Sequence, residues 1–321
     1  MANSLPTLVL IPGAWHRPTC YDKMAKVLRE KHKLRCVAVT LPSASDNPEA
    51  TFKDDIDAAR EAVSSEVSQG RDVVVVAHSY GGMVGNSVIK GFARPKSSQP
   101  SNDNAAAVTD ASEGQENSPT AKTTPGHVIG IVLIASGFTL TGVAFMDPFF
   151  GHPPPAWRVN AATGFAELAQ PARELFYHDV EPREEADFWV SQLRAHSLKS
   201  LFEGGEHAYA GWLDRMQIGM ARVLGGDVVH REMRTSHSPF LSRPTETAAL
   251  VAEAVEAFSR QVVEGLPAGT ADGQPRPVRE TAVLAPLAEP RLWQPLTWLR
   301  FGLPLTFGRF VGSRFPPDPY S

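Results

Sequence analysis

Residues 73–82 read VVVVAHSYGG. The four valines, Val73 to Val76, have the composition of a strand buried on both faces of a parallel sheet. Ala77, His78, Ser79 and Tyr80 follow, then Gly81-Gly82 opens Met83–Phe92, which reads as a helix. A strand, a sharp turn around a serine and a helix together are the context of a nucleophile elbow, usually written G-x-S-x-G. Here Ala77 stands for the first glycine and Gly81 keeps the second. Both places need small residues, because the strained turn brings the strand and helix backbones together. The turn lifts the Ser79 hydroxyl above the sheet and points the Tyr80 N–H at the same space. An Ala-x-Ser-x-Gly run also arises by chance in a buried turn; the valine strand before it and the glycine pair after it argue against that here.

Working outward, the chain alternates strand and helix patterns. Thr7–Ile11 is a short apolar run ending at Pro12-Gly13. Tyr21–Lys31 has Met24, Val27 and Leu28 at helical spacing, and Leu34–Thr40 is a strand candidate. Asp54–Gln69 carries Ile56, Ala59, Val63 and Val67 on one face, with Thr51 placed to cap it. Val128–Ala135 (VIGIVLIA) resumes the strand pattern, Asp227–Met233 reads as a further strand, and Thr245–Val263 as an alanine-rich helix. This alternation predicts an α/β fold, a mostly parallel sheet with helices on both faces.

Composition bounds the rest. At 321 residues, 42% hydrophobic and 21% charged, the chain can bury a full core. The net charge of −4 argues against a nucleic-acid partner, which wants a basic surface. Two cysteines, Cys20 and Cys36, exclude a disulfide scaffold, and a reduced compartment is the simpler expectation. The apolar run Leu8–Ile11 is too short for a signal peptide, no Asn-x-Ser/Thr site occurs, and no run reaches the ~18 apolar residues of a membrane span, so a cytoplasmic location is expected. No HExxH, Cys/His cluster, P-loop or G-x-G-x-x-G after a strand is present, so neither metal nor cofactor is expected.

The 27 prolines exceed the roughly 16 that average usage predicts. Residues 95–126 hold almost nothing to bury and read as a disordered insertion. Residues 139–205 are rich in aromatics, Trp157 and Trp189 among them, and read as a helical cap. The core is expected at 1–138 and 206–264, and a proline-rich linker with an aromatic and basic tail at 265–321. Residues 291–315 carry Trp293, Trp298 and four arginines with no acid, a composition that reads first as packing back onto the body or covering a pocket mouth and second as weak contact with a membrane surface.

The chemistry gathers at three places. Ser79 is the candidate nucleophile. Gly13-Ala14 directly follows the first strand, so the Ala14 and Tyr80 N–H groups are the natural pair to hold an oxyanion. His237, in MRTSHSPFLSRP, lies between a strand pattern and a helix pattern and is the candidate base. The other nine histidines read as structural or solvent-facing, although His16 and His78 lie close enough to touch substrate. Trp15, Trp157, Trp189 and Phe240 complete the expected substrate-contacting set.

These pieces carry a resemblance. LVLIPGAWHRPTCYDKMAKVL (8–28), VTLPS (39–43), AHSYGGMVG (77–85), FYHDVEPREEADFWVSQLRAHS (176–197) and HSPFLSRP (237–244) are similar to the α/β-hydrolases, in the branch of methylesterases and hydroxynitrile lyases and their fungal relatives in secondary metabolism. The resemblance spans about residues 7–260 outside the insertion. It implies a serine hydrolase with a cap, acting on an ester, thioester or lactone of an apolar small molecule. Two departures stand out. Hydroxynitrile lyases of this branch use a threonine and a lysine where this chain has Ile11 and Ser238, so cyanohydrin cleavage is not expected. The segment that should bear the catalytic acid is short. Asp214 lies nearest its place, after a distorted strand at 208–213, with Asp147, Asp179 and Glu206 as the other acids. Two further functions stay open: a cyclase, dehydratase or lyase using His237 as base, and a ligand-binding module without catalysis.

Overall fold

The computed structural model describes residues 5–93, 124–136, 141–209, 229 and 231–263. Asp214, the tail at 265–321 and the insertion up to residue 123 lie outside them.

Strands β1 (Thr7–Ile11), β2 (Arg35–Ala38), β3 (Val73–His78) and β4 (Val128–Ile134) form a parallel sheet in the order β2-β1-β3-β4. Strand side chains alternate between faces, and the sheet uses this to build two cores. Val9, Ile11, Val73, Val75 and Ala77 pack on one face, Leu8, Leu10, Val74 and Val76 on the other. The first face is covered by α2 (Phe52–Ser68) and α3 (Gly81–Val88), the second by α1 (Asp22–His32) and a C-terminal helix at Pro244–Val263. All six residues of β3 are buried, as a strand covered on both faces requires.

Helix α2 starts where its cap chemistry predicts. The Thr51 hydroxyl accepts from the Asp54 N–H (3.2 Å), and the Asp54 carboxylate accepts from the Thr51 N–H (2.8 Å), a reciprocal capping box. Helix α3 begins two residues earlier than the periodicity places it and stops at Val88.

Two expectations need correction. The cap is not purely helical. It contains an antiparallel sheet, β5 (Trp157–Asn160), β6 (Phe165–Leu168) and β7 (His196–Ser197), beside α4 (Ala172–Phe176), α5 (Arg183–Gln192) and α6 (Leu198–Phe202). Gly164, at φ 74°, lets the chain turn back between β5 and β6. These strands are four residues or fewer, too short to register as a period in a proline-rich stretch. Second, the strand expected over Asp227–Met233 does not form in its described residues: Val229 and 231–233 carry no strand pairing. They are followed by α7 (Pro239–Ser242) and α8, the C-terminal helix Pro244–Val263. Among the described residues no helix is long and apolar enough to cross a membrane.

Candidate active site

Strand β3 delivers Ser79 at its C-terminal end in the left-handed region, φ 50°. An L residue held there is strained, and the surroundings have to over-determine it. They do. The Ser79 N–H donates to the Ile134 carbonyl at the end of β4 (3.1 Å), and the Ser79 carbonyl accepts from the Gly82 N–H (2.9 Å) and the Ser136 hydroxyl (2.6 Å). The close packing behind the turn needs glycine. A Cβ on Gly81 would stand 2.3 Å from the Pro12 carbonyl oxygen and 2.7 Å from that of Ile11. Gly81 thus lets α3 press against the turn after β1, which sets Ala14 beside the elbow.

Among the described residues, neither the Ala14 nor the Tyr80 main-chain N–H donates a hydrogen bond, although Ala14 and Tyr80 are 6% and 1% exposed. Buried N–H groups are nearly always paired, so two unpaired donors flanking a strained serine stand out in this fold.

Three imidazoles meet at the residue before this serine: the His78 ring has the His237 ring 4.7 Å away and the His16 ring 5.3 Å away, centroid to centroid. The Ala14 carbonyl only accepts, so the 2.7 Å contact puts the His16 proton on Nδ1; His16 Nε2 then accepts from the Tyr177 hydroxyl (3.0 Å). Burial lowers all three. His16 falls to about 4, partly offset by its bond to Ala14. His78 lies well below its ordinary value through burial, with His237 and His16 adding to the effect. His237 is lowered by burial. The imidazoles are therefore neutral near pH 7, the state a general base needs. The Ser79 hydroxyl makes no hydrogen bond among the described residues.

The candidate acid Asp214 lies outside the described residues, and the other acids divide. Asp147 accepts from the Ala144 N–H (2.7 Å), and Glu206, largely exposed, pairs with His207 (3.4 Å). Asp179 stands behind the histidine loop. Both its oxygens are buried without a fully formed hydrogen bond. Burial works against its charge, but the Ser236 hydroxyl and N–H with the Ser242 hydroxyl outweigh it and hold the carboxyl below the usual range.

The expected substrate contacts divide. The Trp15 indole donates to the Ala166 carbonyl in the cap (3.0 Å), and its own carbonyl accepts from the Arg194 N–H (2.9 Å), tying the turn after β1 to the cap. Trp15 also lines a groove of about 440 Å³ with Phe165, Leu168 and Leu193. Trp157 is buried beside Trp15 and Phe202. Trp189 is buried in the layer with Phe176 and Tyr177, and Phe240 is fully buried, edge-on to His78. Residue reading missed Phe176, which touches Trp15, His16 and His237. It also missed Asp55, a fully buried carboxylate that accepts from the Tyr80 hydroxyl (2.7 Å) and the Ser43 N–H (2.9 Å) and is raised by burial to about 6. The only signal for Asp55 was its place at the border of the Ile56–Ala59–Val63 face. Among the described residues no group of three His, Cys, Asp or Glu side chains forms a metal site.

A parallel sheet whose third strand ends in a left-handed serine beneath a cap is the α/β-hydrolase fold. The chain belongs to the Alpha/beta hydrolase family, whose pattern matches residues 8–250. It is similar to "Alpha/beta hydrolase nvfD" of Aspergillus novofumigatus, 26% identical over 273 residues that cover 78% of this chain and 96% of that one. Among solved structures it is similar to polyneuridine aldehyde esterase (TM-score 0.53, 16% identity, 80% of this chain and 100% of that one). It is also similar to tomato methylketone synthase I complexed with 2-tridecanone (TM-score 0.54, 13% identity, 79% and 99%). At those identities the two structures share the fold.

Proposed function

We propose that the protein is a serine hydrolase acting on an ester, thioester or lactone of an apolar small molecule. The observation that carries this is the pair of unpaired N–H groups, Ala14 and Tyr80, beside a serine held at φ 50°. Ser79 Oγ attacks the substrate carbonyl while His237 takes its proton. The two N–H groups hold the developing oxyanion, typically worth ~10²–10³ in rate per donor. Collapse expels the alcohol or thiol, which takes the proton back from His237. Water then repeats the sequence on the acyl-enzyme and releases the acid. Asp214 is the residue proposed to orient His237; losing an orienting acid can cost ~10⁴ in rate. The aromatic side chains around the site, Trp15, Phe176 and Phe240, support an apolar substrate.

Labelling with a fluorophosphonate tests the reading. The wild-type protein should be labelled at Ser79, not at all in Ser79→Ala, and much more slowly in His237→Ala and Asp214→Asn. Turnover of an apolar substrate that survives Ser79→Ala but not His237→Ala would instead mark a cyclase or lyase. Binding of an apolar ligand with no labelling would mark a non-catalytic module.

A further inference from the structure

We propose that His78 is a positioning residue: its Nε2–H, bonded to the His237 carbonyl oxygen (2.9 Å), fixes the main chain of the catalytic histidine beside Ser79. The proposal rests on the reading of Ser79 as nucleophile and His237 as base.

The fully formed hydrogen bonds within 235–238 are local, Thr235 to Ser236, Ser238 to Ser236, and Leu241 back to Ser238, and beyond them Ser236 faces the Asp179 carboxylate. The bond from His78 is the one that reaches the nucleophile's own turn, across 159 residues of chain. A carbonyl only accepts, so the His78 proton is on Nε2 and Nδ1 is a bare lone pair. That Nδ1 is buried and without a partner. A Cβ on Gly13 would lie 2.8 Å from it and 3.0 Å from the Ser79 Cβ. One ring therefore wedges against the oxyanion turn, adjoins the nucleophile and grips the base.

Its plane is held by Phe240 on one side, 4.9 Å away and nearly perpendicular, and by His16, 5.3 Å away. The titratable groups facing it are His16 and His237, and among the described residues no carboxylate approaches it. A second proton on Nδ1 would be buried against Gly13 at an atom that has no hydrogen-bond partner. The ring stays neutral and the Nε2–H persists across the working pH range. The contribution of His78 is thus a fixed geometry and not a proton transfer.

The test compares a side chain that keeps a donor near the Nε2 position with one that lacks it. A displacement of the base by ~1 Å costs ~10²-fold in rate. His78→Gln should hold the rate constant of fluorophosphonate labelling within about threefold of wild type, and His78→Leu should lower it at least about tenfold, with the same pH limb in both. Thermal melting is measured alongside, and if His78→Leu fails to fold, His78→Met supplies the donorless side chain. Equal losses in the Gln and the donorless variants, tracking their melting temperatures, would mean mere packing and overturn the proposal. So would a donorless variant that labels at the wild-type rate. Absence of labelling in the unaltered protein would overturn the hydrolase reading and this proposal together, which separates the two failures.

Discussion

Ser79, Gly81 and His237 each do one physical thing that their neighbours enforce. Ser79 bears backbone strain of ~1–2 kcal/mol. It keeps that conformation because its N–H and carbonyl are both engaged by β4, Gly82 and Ser136. Gly81 has no room for a Cβ, since the contact is with backbone oxygens that cannot move aside. Gly81→Ala is expected to destabilise the protein by about 3 kcal/mol, the upper range for overpacking, as read by urea midpoint. A loss under about 1 kcal/mol would show that the turn gives way. His237 is lowered by burial, so labelling should rise with pH along a limb below the ordinary histidine value of 6.5 and be flat near neutrality. A limb at or above 6.5 in a pH–rate profile would contradict that environment.

At the scale of elements, local signals read well where they are long or strongly punctuated. The β3 valines, the Thr51 cap and the glycine pair opening α3 each have a mechanism visible in a few adjacent residues. Thr51→Ala removes a capping box and should cost ~1 kcal/mol in denaturant unfolding; an unchanged midpoint would mean α2 is held by tertiary packing alone. The cap sheet was not legible. β5 and β6 pair through only four residues each, and β7 contributes two. The expected strand before the histidine loop had the right composition, but its described residues find no strand to pair with. Strand propensity measures fit to a sheet, and only the sheet decides whether a partner is present.

The whole molecule is sensitive to acid because it buries neutral imidazoles. His16 and His196 titrate near 4 and 3 in the fold against an ordinary 6.5, both through burial, with His78 and His237 also lowered. The unfolded chain binds those protons first, so stability falls as pH drops below about 6.5. Glu66 adds a loss between 4.5 and about 2. Burial opposes its charge, but Arg71, Thr7 and Arg35 bond its carboxylate and hold it low. Asp55 works the other way, gaining stability as pH falls through 6, but it is one group against four histidines. The melting temperature is therefore expected to fall steadily from pH 7 to pH 4. A flat or rising trend would show that the histidines are not buried as described.

The sequence by itself determined the α/β alternation, the strained turn at Ser79 after a buried strand and the glycine that packs behind it, because each is written in adjacent residues with a local backbone or periodic requirement; it named Ala14 and His237 only as candidates. Tertiary structure alone decided that His78, beside Ser79, bonds the His237 main chain, that Phe176 lies against His237, and that Asp55 is buried beneath Tyr80. It also placed Phe240 inside the core. These contacts join segments up to 159 residues apart. Their formation depends on which faces the sheet and cap bring together, and no local pattern in the chain encodes that.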